Sequence, residues 1–157
     1  MLIIFYKKDS FMKNYDLVIA NDHAGFDLKM KILDYFKQKN YQGNIIDAGS
    51  YSSDSVDYPD YSAKAVQEIT EGNASYGILI CGTGIGMSIA ANRHTDIRAA
   101  LCLDELMAEK ARAHNDANIL VLASKLTKDK LALQMIEIFL NTPFEGGRHS
   151  ARVSKLG

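Results

Sequence analysis

Apolar runs of strand length alternate with segments of helical period along most of this chain. The strand-like runs are residues 17–20, 44–48, 76–81, 98–103 and 119–123. Between them Phe26, Met30, Leu33 and Phe36 recur at helical spacing, as do Tyr61, Ala65, Val66 and Ile69, and later Leu131, Met135, Ile138 and Phe139. Strands that are apolar throughout, rather than alternating, are buried on both faces. The pattern therefore predicts a single three-layer α/β/α domain with a five-stranded parallel, Rossmann-like sheet. Pro143 ends the last long helix. The apolar opening from Met1 to Tyr6 stops at Lys7-Lys8, too short for a membrane span or a signal-peptide core. Residues 1–14 are read as an N-terminal extension without an assigned role, and residues 15–157 as the domain, C-terminal helix included.

In a sheet of this kind the functional loops lie beyond the carboxyl ends of the strands. Those ends carry Asn21-Asp22-His23, the segment 47–58, the run from Cys81 to Gly86, and Asp104. The densest chemistry is Cys81-Gly82-Thr83-Gly84-Ile85-Gly86, a thiol where a strand passes through a glycine turn into a helix. Backbone amides at such a turn can face an anion, because glycine has no side chain to block the approach. The G-x-G-x-G spacing is one residue short of the dinucleotide fingerprint, and no Gly-Lys-Ser/Thr follows. A phosphate or oxyanion cradle and a tight structural turn both remain. Cysteine at the end of a buried strand is commonly a small core hydrophobe. At Cys81 the helix N-terminus alters that balance, since local positive potential favours a thiolate. Cys102, inside an apolar run, is read as core.

Bulk properties narrow the classes. The chain has 157 residues, 47% hydrophobic and 24% charged, which fits one globular domain with a single core. A net charge of −1 gives no footprint for nucleic acid or for a polybasic membrane contact. A bound anion must then be held by a local group of cations. Two cysteines, without C-x-x-C or zinc spacing, point to a reducing cytoplasm and no disulfide framework. His23, His94, His114 and His149 show no metal-ligand spacing on a common helix, so no metal is expected. His94 and His149 are read as surface residues. Arg148 and Arg152, four apart, share a face if their segment is helical and can then grip a phosphate.

Taken together the motifs resemble the ribose-5-phosphate isomerase B family, in the wider group that includes the galactose-6-phosphate isomerase subunits. The resemblance is carried by Asn21 to Gly25 with Leu28-Lys29, Asp47-Ala48-Gly49, Asp57-Tyr58-Pro59, Ile80 to Gly86, Ala90-Ala91-Asn92, His114-Asn115-Asp116, and Gly146 to His149 with Arg152. They occur in order over residues 16–153. The resemblance implies aldose–ketose isomerisation of ribose 5-phosphate and ribulose 5-phosphate through an enediolate, with neither metal nor organic cofactor. It implies that Cys81 moves the proton between C2 and C1, and that the amides of Gly82, Gly84 and Gly86 hold the enediolate oxygen. His114 would open the sugar ring with help from Thr83. Asp22 and Asn115 would orient sugar oxygens, Tyr58 would line the pocket, and His23, Arg148 and Arg152 would hold the phosphate. It also implies a homodimer or a dimer of dimers, with His114-Asn115 supplied across the subunit boundary. Lys125 stands where relatives often have an arginine, which keeps the charge but loses the bidentate fork. The terminal helix is shorter than in some relatives.

Two other classes compete. An isomerase of allose or galactose 6-phosphate would use similar motifs, but galactose-type subunits divide the catalytic residues between two different chains. Here Cys81, His114 and the arginines are on one chain. A non-catalytic anion-binding module would need the glycine turn and arginines, but neither Cys81 nor His114.

Overall fold

A computed structural model describes residues 12–157. The apolar opening and most of the expected N-terminal extension lie outside the described residues. Met12 packs into the core, and the Lys13 amide donates to Asn141 Oδ1 at 3.1 Å, so residues 12–14 are docked on the domain.

The strands are β1 (Leu17–Asn21), β2 (Ile45–Asp47), β3 (Tyr76–Cys81), β4 (Ala99–Leu101) and β5 (Ile119–Ala123). They form one parallel sheet in the order β2-β1-β3-β5-β4. The helices between them are α1 (Phe26–Gln38), α2 (Tyr58–Thr70), α3 (Ile85–Ala91), α4 (Glu105–Asn115) and α5 (Asp129–Asn141), and a last turn of helix, α6 (Ser150–Val153), closes the chain. This is the three-layer α/β/α arrangement the apolar pattern predicts. Among the described residues no helix is long and apolar enough to cross a membrane.

Alternation along the central strands divides the core. Leu17, Ile19, Ile78, Ile80, Leu120 and Leu122 pack with α1, α4 and α5. Val18, Ala20, Leu79, Cys81, Ile119 and Val121 pack with α2 and α3. The period of two therefore sends the Cys81 side chain toward α2 and α3. The connections run one way from β1 and the other way from β3. The topological switch point is thus between these strands, where crevices open at the carboxyl ends.

Two sequence expectations need correction. The edge strands are shorter than the apolar runs, because β2 and β4 each have one neighbour to bond. Pairing covers three residues on each, although the Cys102 amide still donates to Val121 O at 3.1 Å. The buried face of α1 is also turned from the expected one. Leu28, Ile32 and Phe36 point into the core while Met30 is 48% exposed. Beside them Lys29 is fully buried, its Nζ donating to Asp47 Oδ1 at 2.7 Å and to Ser50 O at 2.5 Å. Both contacts compensate the hydration that the buried Nζ gives up. The pair ties α1 to the segment after β2, and Ser50 Oγ in turn accepts from Asn21 Nδ2 at 3.1 Å at the end of β1.

Candidate active site

At the carboxyl end of β1, Asp22 starts a short 3₁₀ turn, His23–Gly25. Its Oδ1 accepts from the amides of Ala24 at 2.9 Å and Gly25 at 3.1 Å. One carboxylate oxygen is thus committed to capping. His23 is exposed, and its Nδ1 accepts from the Val56 amide at 3.4 Å, which assigns the ring proton to Nε2. Gly25 is required by packing, since a Cβ there would lie 2.7 Å from Ile80 O.

At the end of β3, the buried Cys81 Sγ accepts from the Gly84 amide at 3.1 Å. Gly84 has φ 75 and begins α3, and Ile85 N donates to Thr83 Oγ1 at 3.4 Å. Tyr58, at the start of α2, packs on Gly86, where a Cβ would come within 2.8 Å of the phenol ring. The Lys125 side chain lies over Gly82, and the Lys125 amide donates to Gly82 O at 3.0 Å. Asp22, His23, Tyr58, Cys81, Thr83 and the three glycines therefore share the carboxyl rim.

Ser124 belongs to this rim and escaped the sequence reading. Its amide donates to Cys81 O at 2.9 Å and its hydroxyl to Ala24 O at 2.8 Å, stitching the ends of β1, β3 and β5 together. The available signal was position alone: it is the first polar residue after the apolar run of β5.

The remaining predicted residues are elsewhere. Helix α4 leaves the carboxyl end of β4 and returns to the amino end of β5, so His114 and Asn115 emerge at the opposite rim. Arg112 donates there to Tyr76 OH at 2.9 Å and to Asp116 Oδ1 at 2.8 Å, and Asp116 also meets Arg98. Helix α5 returns to the same side, and the Glu145 amide donates to Ala113 O at 2.9 Å. Gly146 (φ 66) and Gly147 (φ 55) then turn the chain back across the end of α4. His114, Asn115, His149 and Arg152 line a pocket of about 300 Å³. Arg148 and Arg152 are exposed, on the closing turn and on α6. A five-residue strand spans roughly 15 Å, so within one chain the two groups are too far apart to touch a single small substrate.

His149 corrects the sequence reading, which put it on the surface. It is buried, and its ring stacks on His114 with centroids 4.2 Å apart and planes 10° apart. Burial lowers its pKa, and His114, Arg148 and Arg152 lower it further, against an opposing effect of Glu145. His94 is exposed, as expected. His114, Glu145 and His149 are the one group among the described residues with side-chain donors close enough to consider for a metal, all within 4.8 Å. The two rings stack face to face, and Arg148 and Arg152 add positive charge beside His149. The set does not fit a cation. Cys102 is buried with its thiol pushed up to about 12, first by burial and then by Asp104, as befits a core residue.

Gly84→Ala is expected to destabilise the fold by about 1–3 kcal/mol, because φ 75 strains any residue with a Cβ. That Cβ would also stand 2.3 Å from Leu101 Cδ1. Chemical denaturation should show the lower midpoint.

Comparison with known proteins agrees with this fold. The family model described as ribose/galactose isomerase matches residues 17–156. A Rickettsia typhi protein, named provisionally as a sugar phosphate isomerase, is 57% identical over 145 residues, spanning 92% of this chain and 99% of its own. The crystal structure of a ribose 5-phosphate isomerase from Thermotoga maritima superposes with a TM-score of 0.87 at 53% identity, covering 90% of this chain and 97% of that one. The ribose-5-phosphate isomerase B of Mycoplasma genitalium, solved with bound ribulose-5-phosphate, superposes with a TM-score of 0.83 at 38% identity, covering 90% and 93%. Together with the switch-point thiol and glycine turn, the match over nearly the whole length establishes that the chain belongs to the ribose/galactose isomerase family.

Proposed function

We propose that the protein is an aldose–ketose isomerase that interconverts D-ribose 5-phosphate and D-ribulose 5-phosphate. The observation that carries the reading is the Cys81 thiol at the switch point, hydrogen-bonded by an amide of the glycine turn. As the thiolate, Cys81 removes the proton from C2 of the open-chain aldose. The resulting enediolate carries its charge on oxygen beside the amides of residues 82–86. A proton passes from O2 to O1, and Cys81 returns its proton to C1 to give the ketose. Each well-placed donor to the oxyanion contributes about 3 kcal/mol in the transition state. Charge moves only between oxygen, carbon and sulfur, so the route needs neither a metal nor an organic cofactor.

The aldose enters as a furanose. His114 takes the proton of the anomeric hydroxyl and delivers it to the ring oxygen as the C1–O4 bond breaks, with Thr83 assisting. Asp22, through the carboxylate oxygen not used in capping, and Asn115 orient hydroxyls, and Tyr58 walls the pocket. His23, Arg148 and Arg152 hold the phosphate. Because the residues divide between two rims of one chain, a complete site is assembled from two copies, in a homodimer or a dimer of dimers. One copy gives the Cys81 rim and its neighbour the His114 rim. The edge strand β4 and α4 flank a pocket of about 510 Å³ that includes Leu101, Met107, Asn115 and Leu156, a suitable face for that contact. We place the enzyme in the cytoplasm, where Cys81 stays reduced.

Turnover of ribose 5-phosphate beside allose 6-phosphate and galactose 6-phosphate tests the substrate. The five-carbon sugar should give the highest kcat/KM, and a six-carbon sugar in first place would reassign the enzyme. Arg152→Ala should raise KM about tenfold or more with a smaller change in kcat, as loss of a phosphate contact requires. Initial-rate measurements over a substrate range check this, and a change in kcat alone would remove the phosphate role.

A further inference from the structure

The contact between His114 and His149 is not explained by either half of the proposed mechanism. A polar ring on the inner side of a ring-opening imidazole could have been replaced by an apolar one if packing were its whole purpose. Instead the second ring is a histidine, buried by the double-glycine turn and stacked face to face at 4.2 Å. Glu145 stands at both edges: its Oε2 is 3.6 Å from His114 Nε2 and 3.5 Å from His149 Nε2. The backbone bond from Glu145 to Ala113 O holds that residue at the last turn of α4.

We propose that His149 and Glu145 are positioning residues for His114. The stacked ring fixes the plane of the His114 imidazole and opposes a second positive charge, and the carboxylate sets the pH at which the pair acquires its first. This inference rests on the reading of His114 as the ring-opening group. Two imidazolium rings in face-to-face contact repel strongly, so the two titrate as a unit with macroscopic midpoints. Burial and the neighbouring arginines keep His149 neutral to lower pH than an ordinary histidine. The groups facing the pair are Glu145 from the loop after α5, Arg148 from the closing turn, Arg152 from α6, and Lys110 one turn earlier on α4, itself beside Glu109 and Glu145. The His114 ring is thereby held parallel to a buried neighbour, its edge toward Glu145.

The test uses Glu145→Gln and His149→Phe in the full-length protein. Two readouts are followed: the NMR titration of the His114 ring, and the pH profile of kcat/KM for ribose 5-phosphate. Removing the carboxylate makes the first positive charge harder to place. Glu145→Gln should therefore move the His114 midpoint and the acid limb of the profile down by about half a pH unit or more. His149→Phe puts an apolar π face against the His114 ring, which favours the imidazolium, so both readouts should move up by a similar amount. His149→Ala should move the midpoint up as well and lower kcat further than His149→Phe, because the stack is lost. Unmoved midpoints, shifts in the same direction in Glu145→Gln and His149→Phe, or midpoints that move without the acid limb would overturn the proposal. The NMR arm needs no turnover, so a protein that fails to isomerise the sugar would overturn the ring-opening reading while the titration still judges the pair.

Discussion

Cys81→Ala should lower kcat for ribose 5-phosphate by about 10²- to 10⁴-fold, the usual contribution of a positioned acid–base group. KM, or the Kd of a substrate analogue, should change little. The reason is local. Sulfur sits at the end of β3, and its side chain is aimed at α2 and α3 by strand alternation. The Gly84 amide bonds it at 3.1 Å, and Ser124 ties its carbonyl to the adjoining strand ends. Removal leaves the glycine turn, Tyr58 and His23 in place, so binding persists while the C2 proton has no acceptor. Alanine fits the buried space, and the fold should survive with a small loss of stability. Circular dichroism and a binding titration separate this result from misfolding. Unchanged turnover would end the role of Cys81 as base.

His114→Ala should also reduce turnover by about 10²-fold or more, and by more with the cyclic sugar than with a linear analogue that needs no ring opening. Equal losses would remove that assignment. The placement of His114 and Cys81 on opposite rims adds a sharper expectation. Neither Cys81→Ala nor His114→Ala should work alone, yet subunits of the two mixed by co-expression should recover activity. Random pairing yields heterodimers as half of the molecules, each with one intact and one doubly defective site. The mixture should therefore reach about one quarter of the wild-type rate. No recovery, with mixed dimers demonstrated by mass, would show that each chain carries its own complete site.

Much of the frame was readable from residue order. Central strands buried on both faces announce themselves as unbroken apolar runs, and β3 and β5 match their runs residue for residue. At the edges hydrophobicity outlasts pairing, so β2 and β4 come out shorter than their runs. Helix α1 misled because Lys29 is buried by two specific partners, Asp47 and Ser50, that lie 18 and 21 residues away. No periodicity of apolar residues can register that. The carboxyl-rim half of the site was legible because it needs only strand ends and a switch point. His149 was not, since its burial depends on two consecutive left-handed glycines that return it to α4. The separation of His114 from Cys81 follows from the path of a return helix in any parallel sheet, whereas the stacking of two histidines requires coordinates.

The proposed reaction is a proton transfer at C2 without metal assistance. Its most direct test is the conversion of C2-deuterated ribose 5-phosphate in ordinary water by chelator-treated protein, followed by NMR. Ribulose 5-phosphate should form as fast as with protein not treated with chelator, with part of the label exchanged into water from the Cys81 thiol before C1 is protonated. Absence of the ketose, or a ketose that keeps all of its deuterium and forms only after a divalent metal is restored, would contradict it.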